Sequence, residues 1–241
     1  MTEEGEFWVS LFSGGKDSSF ALYRALERGI DVERLVTIHP EGDSYMYHVP
    51  ATELATLAAE SIGIQSIDVH PDDFDAESAT DAGRQGDREV EPLAKALGEL
   101  DDEVPGGIDG LVVGAVESEF QHRRVEGLSR DLDCELFAPL WQGEPRSLLE
   151  DMLAAGFEIV IVNVAAAGLD DSWLGRPLDE AALEALEALA ESHGVHPLGE
   201  GGEFETIVVD GPHMDRRLDV EYDTSWDGTR GSIAVTEAAL E

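Results

Sequence analysis

A glycine-rich turn near the start of the chain constrains the fold more than any other feature. It lies between an apolar run at residues 7–12 and an amphipathic segment at residues 17–27, and it reads Ser13-Gly14-Gly15-Lys16-Asp17-Ser18. Adjacent glycines let the backbone turn tightly and approach a ligand. The amides that follow stand at the positive end of a helix dipole, where phosphate binds. Because the Gly-x-x-x-x-Gly-Lys-Ser/Thr spacing of a Walker loop is absent, the sequence predicts a strand–loop–helix phosphate site of another type.

Short apolar runs alternate with longer amphipathic segments along the chain, which is typical of an α/β fold. The predicted strands cover residues 7–12, 35–38, 64–69, 111–116, 135–137, 159–164 and 204–209. The predicted helices cover residues 17–27, 51–61, 90–100, 117–132, 147–155 and 179–193. Residues 71–91 are acidic and lack periodicity, so we interpret them as an exposed, mobile segment. A break at residues 138–141 predicts a first lobe of residues 1–136 and a smaller α+β lobe of residues 137–241.

The charge of the chain narrows its setting and its partners. With 53 acidic and 15 basic residues the formal charge is -38, and the lysines are Lys16 and Lys95 alone. In molar salt the Debye length is roughly 3 Å, so self-repulsion of so many carboxylates becomes tolerable. We therefore expect a salt-adapted cytosol. A hydrophobic content of 42% excludes a disordered polyelectrolyte, and the acidity disfavours nucleic acid as the main partner.

Cysteine content and hydropathy exclude further classes of protein. The single cysteine, Cys134, excludes an intramolecular disulfide framework, a cysteine-rich zinc site and an iron–sulfur cluster ligated by this chain alone. The longest apolar run, residues 159–169, is interrupted by Asn163 and is far shorter than the roughly 20 residues of a membrane helix. The acidic first residues lack a signal pattern. We expect a cytoplasmic protein with no membrane partner.

The glycine-rich turn and the motifs that follow it resemble a known family. The later motifs, in chain order, are Ser44-Tyr45-Met46-Tyr47-His48, Gly114-Ala115-Val116-Glu117-Ser118, Gln121 with Arg123-Arg124-Val125-Glu126, Ala138-Pro139-Leu140-Trp141, Val164-Ala165-Ala166-Ala167-Gly168-Leu169 with Leu174-Gly175-Arg176, and Gly199-Glu200-Gly201-Gly202-Glu203-Phe204-Glu205-Thr206. The turn resembles the PP-loop of ATP pyrophosphatases, which implies a Rossmann-like adenine-nucleotide α-hydrolase fold. The order of motifs over residues 7–218 resembles the diphthine-ammonia ligase family. The chain departs from that family mainly in the acidic segment at residues 71–91.

The resemblance implies an AMP-forming ligase reaction. The family makes the last amide of diphthamide on elongation factor 2 in archaea and eukaryotes. ATP would convert the carboxylate of diphthine into an acyl-adenylate, and ammonia would then displace AMP. The implied cofactors are ATP and Mg²⁺, and the implied partners are diphthine-modified elongation factor 2 and ammonium. Together with the acidity, the resemblance suggests a halophilic archaeal source; a homo-oligomer stays open.

The resemblance also implies roles for particular residues. The implied nucleotide-binding residues are Ser13, Gly14, Gly15, Lys16, Asp17, Ser18 and Gly114. The implied catalytic residues are Lys16, Asp17, Arg123 and Glu203, with Asp17 and Glu203 as metal ligands. The implied substrate-binding residues are Tyr45, His48, Glu117, Ser118, Gln121, Arg124, Trp141, Gly201, Gly202, Glu205 and Thr206. Aromatic faces bind quaternary ammonium groups such as that of diphthine, which makes candidates of Tyr45, Tyr47, Trp141 and Trp173.

Alternatives stay open for the residues and for the chain. Glu203 and its neighbouring glycines have a second interpretation, a hinge with solvated acids, although the resemblance favours the functional one. Arg123 and Arg124 would equally form surface salt bridges. The remaining histidines to which we assign a structural role are His39, His70, His193 and His196. A tRNA-modifying PP-loop enzyme is one alternative, disfavoured because sulfur transfer of that kind uses cysteine pairs or a cluster. The other is a nucleotide-binding sensor without turnover, which leaves the later polar motifs without a purpose.

Overall fold

The first half of the chain forms a parallel sheet with helices on both faces. The computed structural model describes residues 5–39, 54–70 and 82–241, with the backbone alone for residues 82–89. The strands of this first sheet are β1 (Trp8–Leu11), β2 (Val32–Ile38), β3 (Ser66–Val69), β4 (Gly110–Val112) and β5 (Glu135–Phe137). The helices that connect them are α1 (Lys16–Glu27), α2 (Ala55–Ile62), α3 (Ala82–Glu103) and α4 (Glu119–Asp131).

The strand order of the first sheet places a crevice beside β1. The order is β3-β2-β1-β4-β5, and every neighbouring pair is parallel. From β1 the chain adds β2 and β3 on one side and then β4 and β5 on the other, so the strand order reverses between β1 and β4. Ligands of open α/β sheets bind at the carboxyl ends of the strands at such a point. The prediction of an α/β fold with a Rossmann-like arrangement is confirmed.

Side chains of the first sheet alternate between two apolar cores, as the two-residue period of a strand requires. Val9 and Leu111 face one core together with apolar residues of α3 and α4. Trp8 and Val112 face the other, which contains apolar residues of α1 and α2. Strands buried on both faces explain why β1 and β4 read as continuous apolar runs.

The second half of the chain forms an antiparallel sheet with its own helices. Its elements are α5 (Pro145–Ala155), β6 (Glu158–Val164), a 3₁₀ turn (Asp171–Trp173), α6 (Glu180–His193), β7 (Phe204–Asp210), β8 (Leu218–Trp226) and β9 (Gly231–Leu240). The strand order is β7-β6-β9-β8, so β7 lies at one edge of this second sheet. One apolar core continues from Phe20 and Leu22 of α1 to Ile207 and Val209 of β7. Helix α1 of the first half thus shares a core with the second sheet. The predicted division into two lobes at residue 136 stays a prediction.

The structure corrects three predicted elements and adds two strands. Helix α3 begins at Ala82, eight residues before the predicted start at residue 90, so the prediction that residues 82–89 precede the helix is wrong. Extending a helix that has already formed at residues 90–100 costs little free energy, even without apolar periodicity. Strand β4 ends at Val112, short of the predicted residue 116. Helix α4 begins at Glu119, with Ser118 as its cap, two residues after the predicted start. Strands β8 and β9 were not predicted; their exposed acidic residues hide the apolar alternation.

The remaining predicted elements are confirmed to within a few residues, and β5 to the residue. Predicted residues 51–53 and 71–81 lie outside the described residues. Among the helices of the described ranges 5–39, 54–70 and 82–241, none is both long and apolar enough to cross a membrane.

Candidate functional site

The glycine-rich turn lies at the carboxyl end of β1, as predicted. Gly14 has a φ of 77°, a left-handed conformation that glycine adopts without strain. Gly15 caps α1 in an extended conformation, and no side chain caps the helix end. The amides of Asp17 and Ser18 belong to the first turn of α1, which has no intrahelical acceptors for its N–H groups. The turn therefore presents donors and a helix dipole at the crevice beside β1.

Two serine hydroxyls hold the turn in shape. The Ser18 hydroxyl donates to the carbonyl of Gly15 at 3.1 Å and accepts from the backbone N–H of Ser13 at 3.2 Å. The hydroxyls of Ser13 and Ser18 also lie 3.1 Å apart. These contacts close the turn on itself, so its amides are organised before any ligand binds.

The edge of the second sheet supports the turn from the other side. The N–H of Val208 donates to the carbonyl of Gly14 at 3.0 Å. The N–H of Lys16 donates to the hydroxyl of Thr206 at 3.3 Å. A side chain at Gly15 would meet the carbonyl of Thr206 at 3.3 Å. Strand β7 thus packs against the glycine-rich turn, and it brings the predicted residue Thr206 to it.

Lys16 is buried at the junction of the two sheets. Its side chain is 4% exposed, and its ammonium donates to Asp17 Oδ2 at 2.8 Å and to the carbonyl of Leu198 at 2.5 Å. An ammonium has three N–H donors, so one remains for a ligand. The lysine is held in place by a carboxylate of its own turn and by a backbone carbonyl from the second half of the chain.

Gly114 allows β4 and α1 to touch. A Cβ atom at Gly114 would lie 2.6 Å from the carbonyl carbon of Asp17 and 2.6 Å from the nitrogen of Ser18. Backbone atoms in a helix cannot move aside cheaply, so only glycine fits here. The predicted nucleotide-binding role of Gly114 gains a physical basis: its missing side chain lets the amides of the turn approach the end of β4.

A second acidic group, Glu200, faces the turn, and the sequence analysis missed it. Its carboxylate accepts the N–H of Glu117 at 3.2 Å. Burial raises the pKa of the Glu200 carboxyl, and the charge of Asp17 raises it further, while the Glu117 amide, Lys16 and His196 oppose the shift. Glu200 belongs to the motif that we quoted, but nothing in the sequence distinguishes it from Glu203 and Glu205.

A cavity opens beside these groups. It has a volume of about 480 Å³, and its polar lining residues are Glu117, Ser118, His196, Glu200 and Glu203. His196 Nε2 lies 3.3 Å from Glu117 Oε2. Residues from the segment that joins β4 to α4 and from the loop before β7 therefore line one space. One of them, Glu200, lies close enough to Asp17 and Lys16 for their charges to act on it.

Glu203, predicted as catalytic, ties its own loop together. Its Oε1 accepts the N–H of His196 at 3.1 Å and its Oε2 accepts the N–H of Gly201 at 2.8 Å. Gly202 has a φ of 80°, so the turn between them needs glycine. Both carboxylate oxygens have partners in the loop, which gives the hinge interpretation a structural basis alongside the predicted catalytic one.

Other predicted site residues lie on α4, at its start or on β7. Arg123 is exposed on α4 and pairs with Glu119. Arg124 packs its guanidinium 3.3 Å from the centre of the Phe120 ring and donates to the carbonyl of Phe120. Ser118 caps α4 by accepting the N–H of Gln121 at 3.3 Å. Glu205 lies on β7 opposite Asn163 of β6.

The aromatic candidates divide into three groups. Trp141 is half-buried and stacks on His122 with ring centres 3.9 Å apart. Trp173 is buried in the core, 4.3 Å from the guanidinium of Arg176, which gives it a structural role. The predicted residues Tyr45, Tyr47 and His48 lie outside the described residues.

One oxygen of Asp17 fits a cation. Asp17 Oδ2 pairs with Lys16, whereas Oδ1 is buried and has no hydrogen-bond partner. A buried acceptor without a partner is costly, and a hard cation such as Mg²⁺ prefers carboxylate oxygens. Among the side chains that the structure describes, in residues 5–39, 54–70 and 90–241, no group of three or more His, Cys, Asp or Glu is suited to a metal. A magnesium ion at Asp17 would therefore take its other ligands from phosphate and water.

The cysteine is not placed for nucleophilic chemistry. Burial, followed by the charge of Asp101, raises the pKa of the Cys134 thiol from 9.0 to about 11. The nucleophile in sulfur chemistry is the thiolate, and a pKa raised this far keeps the thiol protonated at neutral pH.

Comparison with known proteins places both halves of the chain in one group. The family model described as "Diphthamide synthase N-terminal domain" matches residues 8–135, and that described as "Diphthamide synthase C-terminal domain" matches residues 144–240. The diphthine–ammonia ligase of Danio rerio is 36% identical over 229 residues, which cover 88% of this chain and 86% of the relative. That of Homo sapiens is 32% identical over 224 residues, covering 88% of this chain and 82% of the relative.

More distant matches extend the comparison. The diphthine–ammonia ligase of Saccharomyces cerevisiae is 30% identical over 232 residues, which cover 85% of this chain and 33% of that longer protein. Among solved structures, a predicted subunit of tRNA methyltransferase from Methanocaldococcus jannaschii matches 86% of this chain and 98% of its own, at 20% identity and a TM-score of 0.45.

Proposed function

This chain belongs to the diphthamide synthase family, and from that premise we propose that it amidates diphthine on elongation factor 2 with ammonia at the expense of ATP. The observation that carries the proposal is similarity to diphthine–ammonia ligases over 88% of the chain. The glycine-rich turn with its buried lysine supports it, because the reaction needs a phosphate site.

The chemistry that we propose proceeds through an acyl-adenylate. A carboxylate does not form an amide with ammonia in water, because its leaving group would be oxide. A carboxylate oxygen of diphthine attacks the α-phosphorus of ATP, and the bond to the β-phosphate breaks to release pyrophosphate. The nitrogen of ammonia then attacks the acyl carbon, the bond to AMP breaks, and the nitrogen loses a proton.

Lys16 and the amides of the turn would stabilise the departing pyrophosphate. Charge grows on the bridging oxygen as the bond breaks, so donors aimed at it bind the transition state more tightly than ATP itself. Lys16→Ala should lower turnover by about 10² to 10³, the scale of removing one organised donor. The measurement is the rate of amide formation at saturating ATP. A variant with wild-type turnover would remove Lys16 from the reaction.

Asp17 would hold Mg²⁺ through its buried oxygen Oδ1. When bound, the ion would neutralise charge on the phosphates. Asp17 Oδ2 meanwhile keeps the Lys16 ammonium at 2.8 Å, so the two oxygens of one carboxylate would orient both cations. Glu203 as a second ligand, and Arg123 as a further catalytic cation, remain predictions to be tested by substitution.

The acceptor would enter through the cavity of about 480 Å³ lined by Glu117, Glu200 and Glu203. Its acidic walls suit the trimethylammonium group of diphthine, and the charges of Lys16 and Asp17 act on Glu200 in its wall. Trp141 is an aromatic candidate in a separate cavity that His122 and Glu126 of α4 also line. The setting that we propose is the reducing cytosol of a salt-adapted archaeon, in keeping with a formal charge of -38 and a single cysteine.

An amidation assay with two forms of the acceptor tests the function. Elongation factor 2 carrying diphthine should gain one amide when ATP and ammonium are both present, whereas the unmodified factor should gain none. ATP binding without any product would instead identify a sensor. Modification of tRNA, but not of the factor, would identify the alternative PP-loop chemistry.

A further inference from the structure

One histidine, His196, organises the short turn at residues 196–199, which leads into the loop that contains Gly201 and Gly202. His196 donates its backbone N–H to Glu203 at 3.1 Å, and its carbonyl accepts the N–H of Gly199 at 2.9 Å. Its ring nitrogen Nδ1 accepts the N–H of Leu198 at 3.2 Å. A side chain that accepts the amide two residues ahead acts as Asn and Asp do in an Asx turn. His196 thus fixes the peptide units on both sides of Leu198.

The ring also ties this turn to the first sheet. Because Nδ1 accepts a hydrogen bond, the proton of the neutral ring lies on Nε2. Nε2 therefore donates to Glu117 Oε2 at 3.3 Å, just beyond the end of β4. Glu200, from the same loop, accepts the N–H of Glu117 at 3.2 Å. Two contacts thus hold the turn against the strand end beside the phosphate site.

The turn that His196 organises supplies the carbonyl that holds Lys16. The carbonyl of Leu198 accepts the Lys16 ammonium at 2.5 Å, 182 positions away in sequence. The lysine is 4% exposed, so water cannot readily replace this acceptor. With Asp17 taking a second donor, the position of the Leu198 carbonyl decides where the third N–H points.

We propose that His196 is a positioning residue for Lys16, acting through the carbonyl of Leu198. The inference rests on the proposed function, in which Lys16 binds the phosphates of ATP. It gives His196, to which the sequence analysis assigns a structural role, an effect on nucleotide binding. It also makes the lysine of the first half dependent on a turn of the second half.

The test measures binding of α,β-methylene ATP, which cannot be split between its α and β phosphates. His196→Ala removes the acceptor for the Leu198 N–H and should raise the dissociation constant about 10-fold, the effect of one well-placed hydrogen bond to a charged system. His196→Asn puts an oxygen where Nδ1 stands, and it should restore the constant to within about threefold of wild type. His193→Ala is the matched control, because that ring contacts Ser192 at the end of α6.

A double-variant cycle separates positioning from a general structural effect. In a Lys16→Met protein the ammonium is absent, so adding His196→Ala should change the dissociation constant less than twofold. If the rise in dissociation constant in the double variant equals the product of the two single effects, the proposal is overturned. Wild-type binding by His196→Ala would also overturn it. If His196→Ala does not fold, a 10-fold rise in the dissociation constant of His196→Asn overturns the proposal as well. A wild-type protein that binds the analogue but forms no amide would refute the proposed function and leave the positioning role intact.

Discussion

Replacement of Gly114 by alanine tests whether the contact between β4 and α1 shapes the phosphate site. The added Cβ would lie 2.6 Å from two backbone atoms, the carbonyl carbon of Asp17 and the nitrogen of Ser18. Favourable carbon contacts lie at about 3.5 to 4.0 Å, so the strand end and the helix must separate by about 1 Å. The group that has to move is the start of α1, which carries the amides of the turn.

The magnitude follows from the cost of overpacking. Inserting a carbon into a well-packed site costs about 1 to 3 kcal/mol, and the stiffer unfolded chain returns about 0.4 to 1 kcal/mol. Gly114→Ala should therefore lower the free energy of unfolding by about 1 to 2 kcal/mol. A shift of 1 Å at the phosphate site should also lower turnover by about 10²-fold.

Gly127→Ala is the matched control. Gly127 lies within α4, and a Cβ there would meet nothing within 4 Å. Alanine is favoured over glycine in a helix by about 1 kcal/mol, so this variant should be more stable and fully active. Urea unfolding at constant salt, with an unchanged denaturant slope, measures both changes. A Gly114→Ala protein with the stability and turnover of wild type would refute the reasoning.

Two further predictions concern the second half of the chain. Glu203→Gln should lower the free energy of unfolding by about 1 to 3 kcal/mol, because an amide N–H₂ would face the backbone N–H of His196 or Gly201. If this variant instead loses turnover that added magnesium restores, Glu203 is a metal ligand. His213 is half-buried and stacks on Phe157, and both its ring nitrogens are shielded from solvent. This burial lowers its pKa from 6.5 to about 4. Since only the unfolded chain takes up the proton between these values, His213 should remove about 3 kcal/mol of stability as the pH falls from 6.5 to 4. In pH-dependent unfolding of His213→Phe that loss should disappear, and an unchanged profile would contradict the assignment.

Local signals made the glycine-rich turn predictable. Gly14 and Gly15 between an apolar run and an amphipathic one specify a turn, and the structure has that turn with a left-handed Gly14. The order of strands and helices followed from the same periodicity. These inferences succeed because turn chemistry and amphipathicity act over a few residues.

Contacts between residues far apart in the sequence could not be predicted from such local patterns. Glu200, Glu203 and Glu205 are identical in type, and only the folded loop shows that Glu200 faces Asp17 while Glu203 binds backbone amides. The bond from Lys16 to Leu198 spans 182 positions. Which of several equal side chains reaches a site depends on how β7 docks on the turn, and no pattern within one segment encodes that.

The fate of the α-phosphate of ATP tests the central claim most directly. With ATP labelled at that position, the account predicts labelled AMP in a one-to-one ratio with the amide formed on elongation factor 2, and only when both diphthine and ammonium are present. A turn that holds the β and γ phosphates as one departing unit requires that outcome. Labelled ADP in a one-to-one ratio with the amide would contradict the account.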